Sequence, residues 1–138
     1  ATIVFEYPEL LKRLNMLIFP YIIASLKQEI AFLRKLKPTA IVLDAPTLFE
    51  SRADYLCDYK ISIIAQKKIR IQRIMARDGL SLEQAHHRID AQHTDDYYRE
   101  QSDYTLCNHG DIPSFLEKAK SLLNQIILSY NNSNKMLK

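Results

Sequence analysis

Ile41-Val42-Leu43-Asp44-Ala45-Pro46-Thr47-Leu48-Phe49-Glu50 is the stretch on which the fold turns. Three β-prone apolar residues run into an acid, and Pro46 then stops the strand because it has no N–H for a ladder. A continuous apolar run bounded by turn signals predicts a strand buried on both faces, as in a parallel sheet. An acid at the carboxyl end of such a strand lies where open α/β sheets bind ligands.

Downstream, Thr47 to Asp54 reads as a loop or short helical turn, and Ile61-Ser62-Ile63-Ile64, within Tyr59 to Ala65, as a second buried strand. Gln66 to Arg77 predicts a helix with Ile71, Ile74 and Met75 on one side; Arg70, Arg73 and Arg77 share the other at i, i+3 and i+7. Asp78-Gly79 ends it. Ser81-Leu82-Glu83-Gln84 is a capping-box sequence, so a new helix starts there. Leu82, Ala85, His86 and Ile89 form its expected buried stripe, with Arg88 and Gln92 on a different face. Tyr97 to Asp103 is polar and aromatic and carries no assigned element. Tyr104 to Cys107 reads as a third strand and Asn108-His109-Gly110-Asp111 as a turn. Asp111 then caps a last helix with the stripe Phe115, Leu116, Ala119, Leu122, Leu123, Ile126 and Ile127, and the polar end from Asn131 to Lys138 reads as frayed.

Upstream, Ala1 to Glu6 is short and apolar, and Pro8 suits the first position of a helix. Leu10, Leu14, Leu17 and Ile18 recur at helical spacing until Phe19-Pro20, where the missing N–H predicts a break. A second helix, about Pro20 to Lys35, carries Ile22, Leu26, Ile30 and Leu33, and Pro38 closes a helical hairpin expected to pack on the sheet. Strands alternating with helices predict α/β architecture with a mainly parallel sheet. With no repeat, low-complexity segment or linker, one domain spans residues 1–138.

Composition limits the functions open to such a domain. The 138 residues carry a net charge of +3. That suits an anionic small molecule and argues against nucleic acid, since acids are spread throughout and no aromatic platform is visible. Only Gly79 and Gly110 are glycines, so no phosphate-cradling loop is present in the chain. Cys57 and Cys107 match no metal-ligand spacing and read as buried thiols of a reduced, cytoplasmic protein. No apolar run approaches membrane-spanning length on this reading.

Spacing leaves Asp44 between two roles: cap of the following turn, or the strand-end acid that organises Mg²⁺ beside nucleotide phosphates in P-loop enzymes. The arginine face is likewise open. Arg73 and Arg77 lie one helical turn apart and can share the charge of a triphosphate with bidentate geometry, and arginines also serve as the solvated face of an amphipathic helix. His86, His87 and His93 lack the i, i+4 spacing of a helical zinc pair, and no Ser/His/Asp or Cys/His constellation is identifiable.

In order, these pieces resemble the dephospho-coenzyme A kinase family of P-loop kinases. The resemblance rests on Val4-Phe5, Pro8, Leu14 and Phe19-Pro20, then on Val42 to Glu50, similar to V-x-D-x-P-L-L-F-E, and on Cys57-Asp58. It continues through Arg73-Ile74-Met75-Ala76-Arg77-Asp78-Gly79-Leu80-Ser81, Glu83, Ala85, Arg88-Ile89, Gln92, Ser102-Asp103-Tyr104 and Asn108-His109-Gly110. The resemblance implies transfer of the γ-phosphoryl of ATP, with Mg²⁺, to the ribose 3′-hydroxyl of dephospho-coenzyme A, the last step of coenzyme A synthesis. It implies that Arg73 and Arg77 belong to a mobile lid over ATP (residues 66–100), with Arg77 the foremost phosphate contact. Asn108 and Gly110 lie near the adenine. Asp44 to Glu50, including Pro46, Leu48 and Phe49, border the acceptor cleft, and residues 1–38 form the helical acceptor-binding region.

The departures carry expectations too. Phe19 stands where the family often has His, and Thr47 where Leu is usual. The strand and G-x-x-x-x-G-K-[ST] that open the family are not in this sequence, nor is the acidic segment that supplies the catalytic base. The expectation is therefore a C-terminal part, inactive alone, whose strands at Ile41–Leu43 and Ile61–Ile64 lack the neighbour that lies between them in the family. Such strands would close up directly or pair with a second copy through their exposed edges. The rival readings are another nucleoside or nucleotide kinase, a nucleic-acid-binding α/β module, and a non-catalytic interaction domain.

Overall fold

A computed structural model describes residues 7–135; Ala1 to Glu6 and the last three residues, with the expectations that fall on them, lie outside the described residues. Helix α1 spans Pro8–Lys35 and a 3-10 turn Ala53–Leu56. Strand β1 (Ile61–Ile64) leads into α2 (Lys67–Asp78), α3 (Leu82–Asp90) and α4 (Asp95–Gln101). Strand β2 (Tyr104–Cys107) and helix α5 (Ile112–Lys135) complete the chain. The two strands are parallel, in the register Ile61 with Tyr104 through Ile64 with Cys107, and three helices form the crossover between them. Helix α5 packs on β2, α4 on β1, and α3 on α2.

Local chemistry explains most boundaries. Gly79, at φ +66, ends α2 in the left-handed conformation that Gly adopts without strain, its N–H bonding to Met75 O at 3.0 Å. Ser81 and Gln84 form the reciprocal capping box, at 3.2 and 3.0 Å. Ser114 N donates to Asp111 Oδ2 at 3.1 Å at the start of α5. The core gathers Ala53, Ile64, Ala65, Ala85, Ile89 and Ile126, from the turn, β1, α3 and α5.

Several expectations are corrected. Residues 8–35 form one helix, not a hairpin: Pro20 sits inside α1. Pro removes a single helical bond, and both Pro20 and Met16, whose carbonyl loses its partner, face solvent, where water can replace the lost donor. Joined across Pro20, Glu9–Lys35 is long and apolar enough to cross a membrane by length and composition. That overturns the reading that no stretch is; core helices of soluble proteins meet the same criterion, though here none of the apolar window is buried.

The stretch at Ile41–Leu43 has no regular secondary structure, and Val42 is 77% exposed where burial on both faces was expected. A strand exists only with a ladder partner, and among the described residues none pairs with it. Nor do the two stretches close up, because a cavity lies between them. Strand β1 is consequently buried on one face only: Ser62 and Ile64 are inside, Ile61 and Ile63 outside.

Smaller corrections share one cause, a smaller set of neighbours than the pattern assumed. Leu82 is 55% exposed, Leu116 and Leu123 are also exposed, and His86 is half-buried. Cys107 is exposed and Cys57 half-buried, both free. Helix α4 is an element the sequence reading lacked: Asp-Asp-Tyr-Tyr shows no apolar period, and the signal was Thr94, whose hydroxyl accepts from Tyr97 N at 3.2 Å. Helix α5 continues to Lys135 instead of fraying from Asn131.

Candidate functional site

A cavity of about 1230 Å³ opens between the segment carrying Asp44, strand β1 and helix α5. Of the expected site residues, Asp44, Pro46, Leu48, Phe49, Arg73 and Asn108 line it. Its floor is apolar, from Ile61, Ile63 and Leu106 of the strands to Ala119, Ile126 and Ile127 of α5. This floor lies between Ile41–Leu43 and β1, where the family resemblance puts a further strand, so the polar side chains of the lining, not the apolar floor, are the candidate ligand contacts.

Helix α2 brings Arg70 and Arg73, but not Arg77, into the lining of this cavity. Arg73 donates to Asn108 twice, through Nη2 to Oδ1 at 3.0 Å and through Nη1 to the backbone oxygen at 3.3 Å. Two residues separated by 35 positions, both tied to ATP by the same family resemblance, thus meet in the cavity lining. Arg70 Nη1 pairs with Asp95 Oδ1 at 3.1 Å and its Nη2 bonds to Gln92 Oε1. Arg77 lies outside the lining, 72% exposed. It forks onto Asp78 through Nε at 2.7 Å and Nη2 at 2.9 Å, and Arg88 pairs with the same carboxylate. The bond from Arg77 holds the Asp78 carboxyl below its usual range, and the same bond raises the arginine further.

The Asp44 side chain is exposed at the cavity edge and makes no hydrogen bond among the described residues, so it caps no turn there. Glu50, beside Phe49, is not in the cavity lining, although its partner Tyr98 is. Its Oε1 accepts from Tyr98 OH at 2.8 Å, and its Oε2 is buried with no hydrogen-bond partner among the described residues. Burial first, then the bond and charge of Glu50, push the Tyr98 hydroxyl up to about 12. Ser62 Oγ donates to Tyr98 O at 3.0 Å, which ties α4 to β1. Gly110 sits at φ +140, a backbone that L side chains rarely adopt, and is also outside the lining.

The sequence reading missed Tyr98, and it missed Arg70, Gln92 and Asp95 as one network. Gln92 had a signal in the family pattern; Tyr98 and Asp95 had only a polar, aromatic stretch with no period.

Comparison with known proteins assigns the chain. The sequence model of the dephospho-CoA kinase family matches residues 1–114. The dephospho-CoA kinase of Oryza sativa subsp. japonica is 36% identical over 124 residues, covering 90% of this chain and 54% of that protein. Among solved structures, a crystal structure from Thermus thermophilus superposes with a TM-score of 0.69 at 30% identity, covering 91% of this chain and 64% of that one. The dephospho-CoA kinase from Campylobacter jejuni superposes at 0.60 with 29% identity, covering 93% and 63%. The chain spans between half and two thirds of the length of these relatives. Its sequence and its fold together place it in the dephospho-CoA kinase family.

Proposed function

We propose that this chain supplies the lid, the adenine-side loop and part of the acceptor cleft of a kinase that phosphorylates the ribose 3′-hydroxyl of dephospho-coenzyme A with ATP. The observation that carries this is the convergence of Arg73 and Asn108 with Asp44 and Phe49 around one cavity. Phosphoryl transfer is largely positioning plus charge stabilisation. In this reading Arg73, held by Asn108, sets its guanidinium in the cavity lining, where its charge meets a phosphate oxygen. Arg77 exchanges Asp78 for phosphate when residues 66–100 close. Asn108 and Gly110 border the adenine, and Pro46, Leu48, Phe49 and Glu50 border the acceptor. Residues 1–38 form the helical acceptor-binding region, and the protein works in the cytoplasm.

The donor set suits Mg²⁺, which takes one or two carboxylates and completes its shell with water and substrate phosphates. Among the described residues no group of three or more His, Cys, Asp or Glu converges; of the lining carboxylates Asp44 and Asp58 make no hydrogen bond there, and Asp44 is the one that would hold the ion. Bound there, the ion would neutralise charge on the phosphates.

The test is an acceptor panel in the whole protein with ATP: dephospho-coenzyme A against nucleosides and nucleoside monophosphates. Turnover of dephospho-coenzyme A above the others is expected. Preference for a nucleoside or its monophosphate would overturn the reading in favour of a different nucleotide kinase.

A further inference from the structure

Helix α4 touches both the segment carrying Phe49 and the helix carrying Arg73, and is itself fixed to the sheet. The buried Ser62 of β1 donates through Oγ to Tyr98 O at 3.0 Å. That bond uses its one proton, so the same hydroxyl accepts from Ser102 Oγ just beyond α4. Asp95 and Tyr98 share one face of α4, a helical turn apart, and both line the cavity. Tyr98 reaches the segment proposed to border the acceptor: its hydroxyl donates to Glu50 Oε1 at 2.8 Å, and its ring meets that of Phe49 with centroids 6.2 Å apart. Asp95 reaches the phosphate side, accepting from Arg70 Nη1 at 3.1 Å.

Each of these bonds acts through a neighbour. Glu50 Oε2 is buried without a hydrogen-bond partner, so the bond from Tyr98 is what holds this carboxylate among the described residues. Leaving a buried acceptor unpaired costs stability, and departures of that kind concentrate where a function fixes the group. Through Glu50, Tyr98 holds the turn that follows Pro46, which Ser51 N closes onto Thr47 O and Arg52 N onto Phe49 O, both at 3.0 Å. On the other side, Arg70 stands one helical turn before Arg73 on α2. Its Nη1 goes to Asp95 and its Nη2 to Gln92, so the guanidinium fork is gripped at both tips by the foot of α4. Gripping Arg70 sets the rotation of α2, and with it the place of Arg73 against Asn108.

We propose that Tyr98 and Asp95 are positioning residues for phosphoryl transfer: from one face of α4 they hold the acceptor-side segment, through Glu50, and the phosphate-side helix, through Arg70, at a fixed separation on the sheet. The assignment rests on the function proposed above and deepens it. Transfer needs the attacking hydroxyl and the γ-phosphoryl in line, and a misplacement of about 1 Å can cost about 10²-fold in rate. A single short helix bonded to both sides fixes that distance more directly than two segments anchored separately. It also sets how the lid moves. With α4 tied to β1 and Arg70 tied to α4, closure pivots at this foot, and Arg77 travels further than Arg73.

Steady-state kinetics of the whole protein, with ATP and the acceptor that leads the panel above, test the idea. Tyr98→Phe keeps the ring and deletes the hydroxyl; Asp95→Asn keeps the shape and deletes the charge. Tyr98→Phe should lower kcat and raise the acceptor KM, each by about tenfold, with the KM for ATP unchanged. Asp95→Asn should lower kcat by a similar factor with the acceptor KM unchanged, and Asp95→Glu, which keeps the charge, should recover most of the loss. A readout without turnover accompanies these. In the 138-residue chain, Tyr98→Phe should speed amide exchange at Ser51 and Arg52, and Asp95→Asn should not. Unchanged kcat in either variant would overturn the proposal. So would losses that vanish once kcat is corrected for the folded fraction, or equal exchange at Ser51 and Arg52 in Tyr98→Phe and the parent chain. A panel led by another acceptor would overturn the acceptor proposed above and not this assignment, because the kinetics use whichever acceptor leads.

Discussion

The unit from β1 to α5 and the segment from α1 to Pro46 obey the same local rules and end differently. In the first, β1, α3 and α5 each bury part of their apolar surface, at Ile64 with Ala65 at the strand's end, Ala85 and Ile89, and Ile126, although Ile63, Leu82 and Leu116 stay exposed. In the second, Leu14, Leu17, Tyr21, Ile22 and Phe32 of α1 and Val42 beyond it are exposed, although their spacing is as regular. Helical period decides that a helix forms and which face is apolar. It does not say whether anything covers that face. The difference between the regions is one of partners, and substitutions can measure it.

The largest contrast lies in truncating matched residues on the two sides. Ile64→Ala removes a side chain that is 5% exposed and should cost about 2–5 kcal/mol in chemical denaturation. Leu17→Ala removes one that is 69% exposed and should change stability by no more than about 0.5 kcal/mol. Comparable losses at the two sites would mean that α1 has a covering partner in solution and would break the comparison.

Next is the pair of arginines on α2, one inside the cavity and one outside. In the whole enzyme Arg73→Ala should lower kcat by about 10²-fold, the usual loss when a donor to developing charge is removed. Arg77→Ala should lower turnover less, because its present partner is Asp78, and should leave the fold intact. Unchanged turnover in Arg77→Ala would remove it from the phosphate role, and a larger loss than in Arg73→Ala would place it nearer the reacting atoms.

The same contrast explains what could be read from the sequence. Strand β1, helix α2 with Gly79 as its stop, and the Ser81–Gln84 capping box were legible because their causes lie within a few residues. The cluster Asp44, Phe49, Arg73 and Asn108 was legible only through a family pattern, since spacing left Asp44 and the arginine face open. Three things depended on distant atoms and were not legible. Whether Ile41–Leu43 is a strand depends on a ladder partner that no described residue provides. Whether Pro20 breaks α1 depends on solvent at Met16. Glu50 meets Tyr98 across 48 residues with no spacing to announce it.

Two effects of about 1 kcal/mol sharpen the boundary of the well-packed unit. Ser81→Ala deletes the cap of α3 and should lower stability by about 1 kcal/mol, with faster amide exchange in its first turn. Tyr98 joins the Asp44–Glu50 segment to α4. Its folded pKa is raised, so its contribution is complete below the unfolded value of about 10 and is lost as pH rises toward about 12. Discounted for partial solvent contact, the effect is about 1 kcal/mol. Unfolding followed across that alkaline window should slope more steeply in the parent chain than in Tyr98→Phe; parallel slopes would dismiss the Glu50 bond as a contributor.

The smallest effect concerns Asp78, at the corner where α2 meets α3. An acid in the last turn of a helix opposes the negative end of the dipole, and Arg77 and Arg88 offset this by sharing its carboxylate. The folded pKa is lowered, chiefly by the bond from Arg77. The contribution is therefore present above the unfolded carboxylate value, near 3.9, and is lost as pH falls through the lower folded value. Because the cluster is at the surface, salt should screen most of it. Thermal midpoints between pH 5 and pH 2 should fall more steeply in the parent chain than in Asp78→Asn at low salt, and the two curves should converge at high salt. If they coincide at low salt as well, the carboxylate holds its arginines too weakly to restrain the lid, and Arg77 is free to meet phosphate without first leaving Asp78.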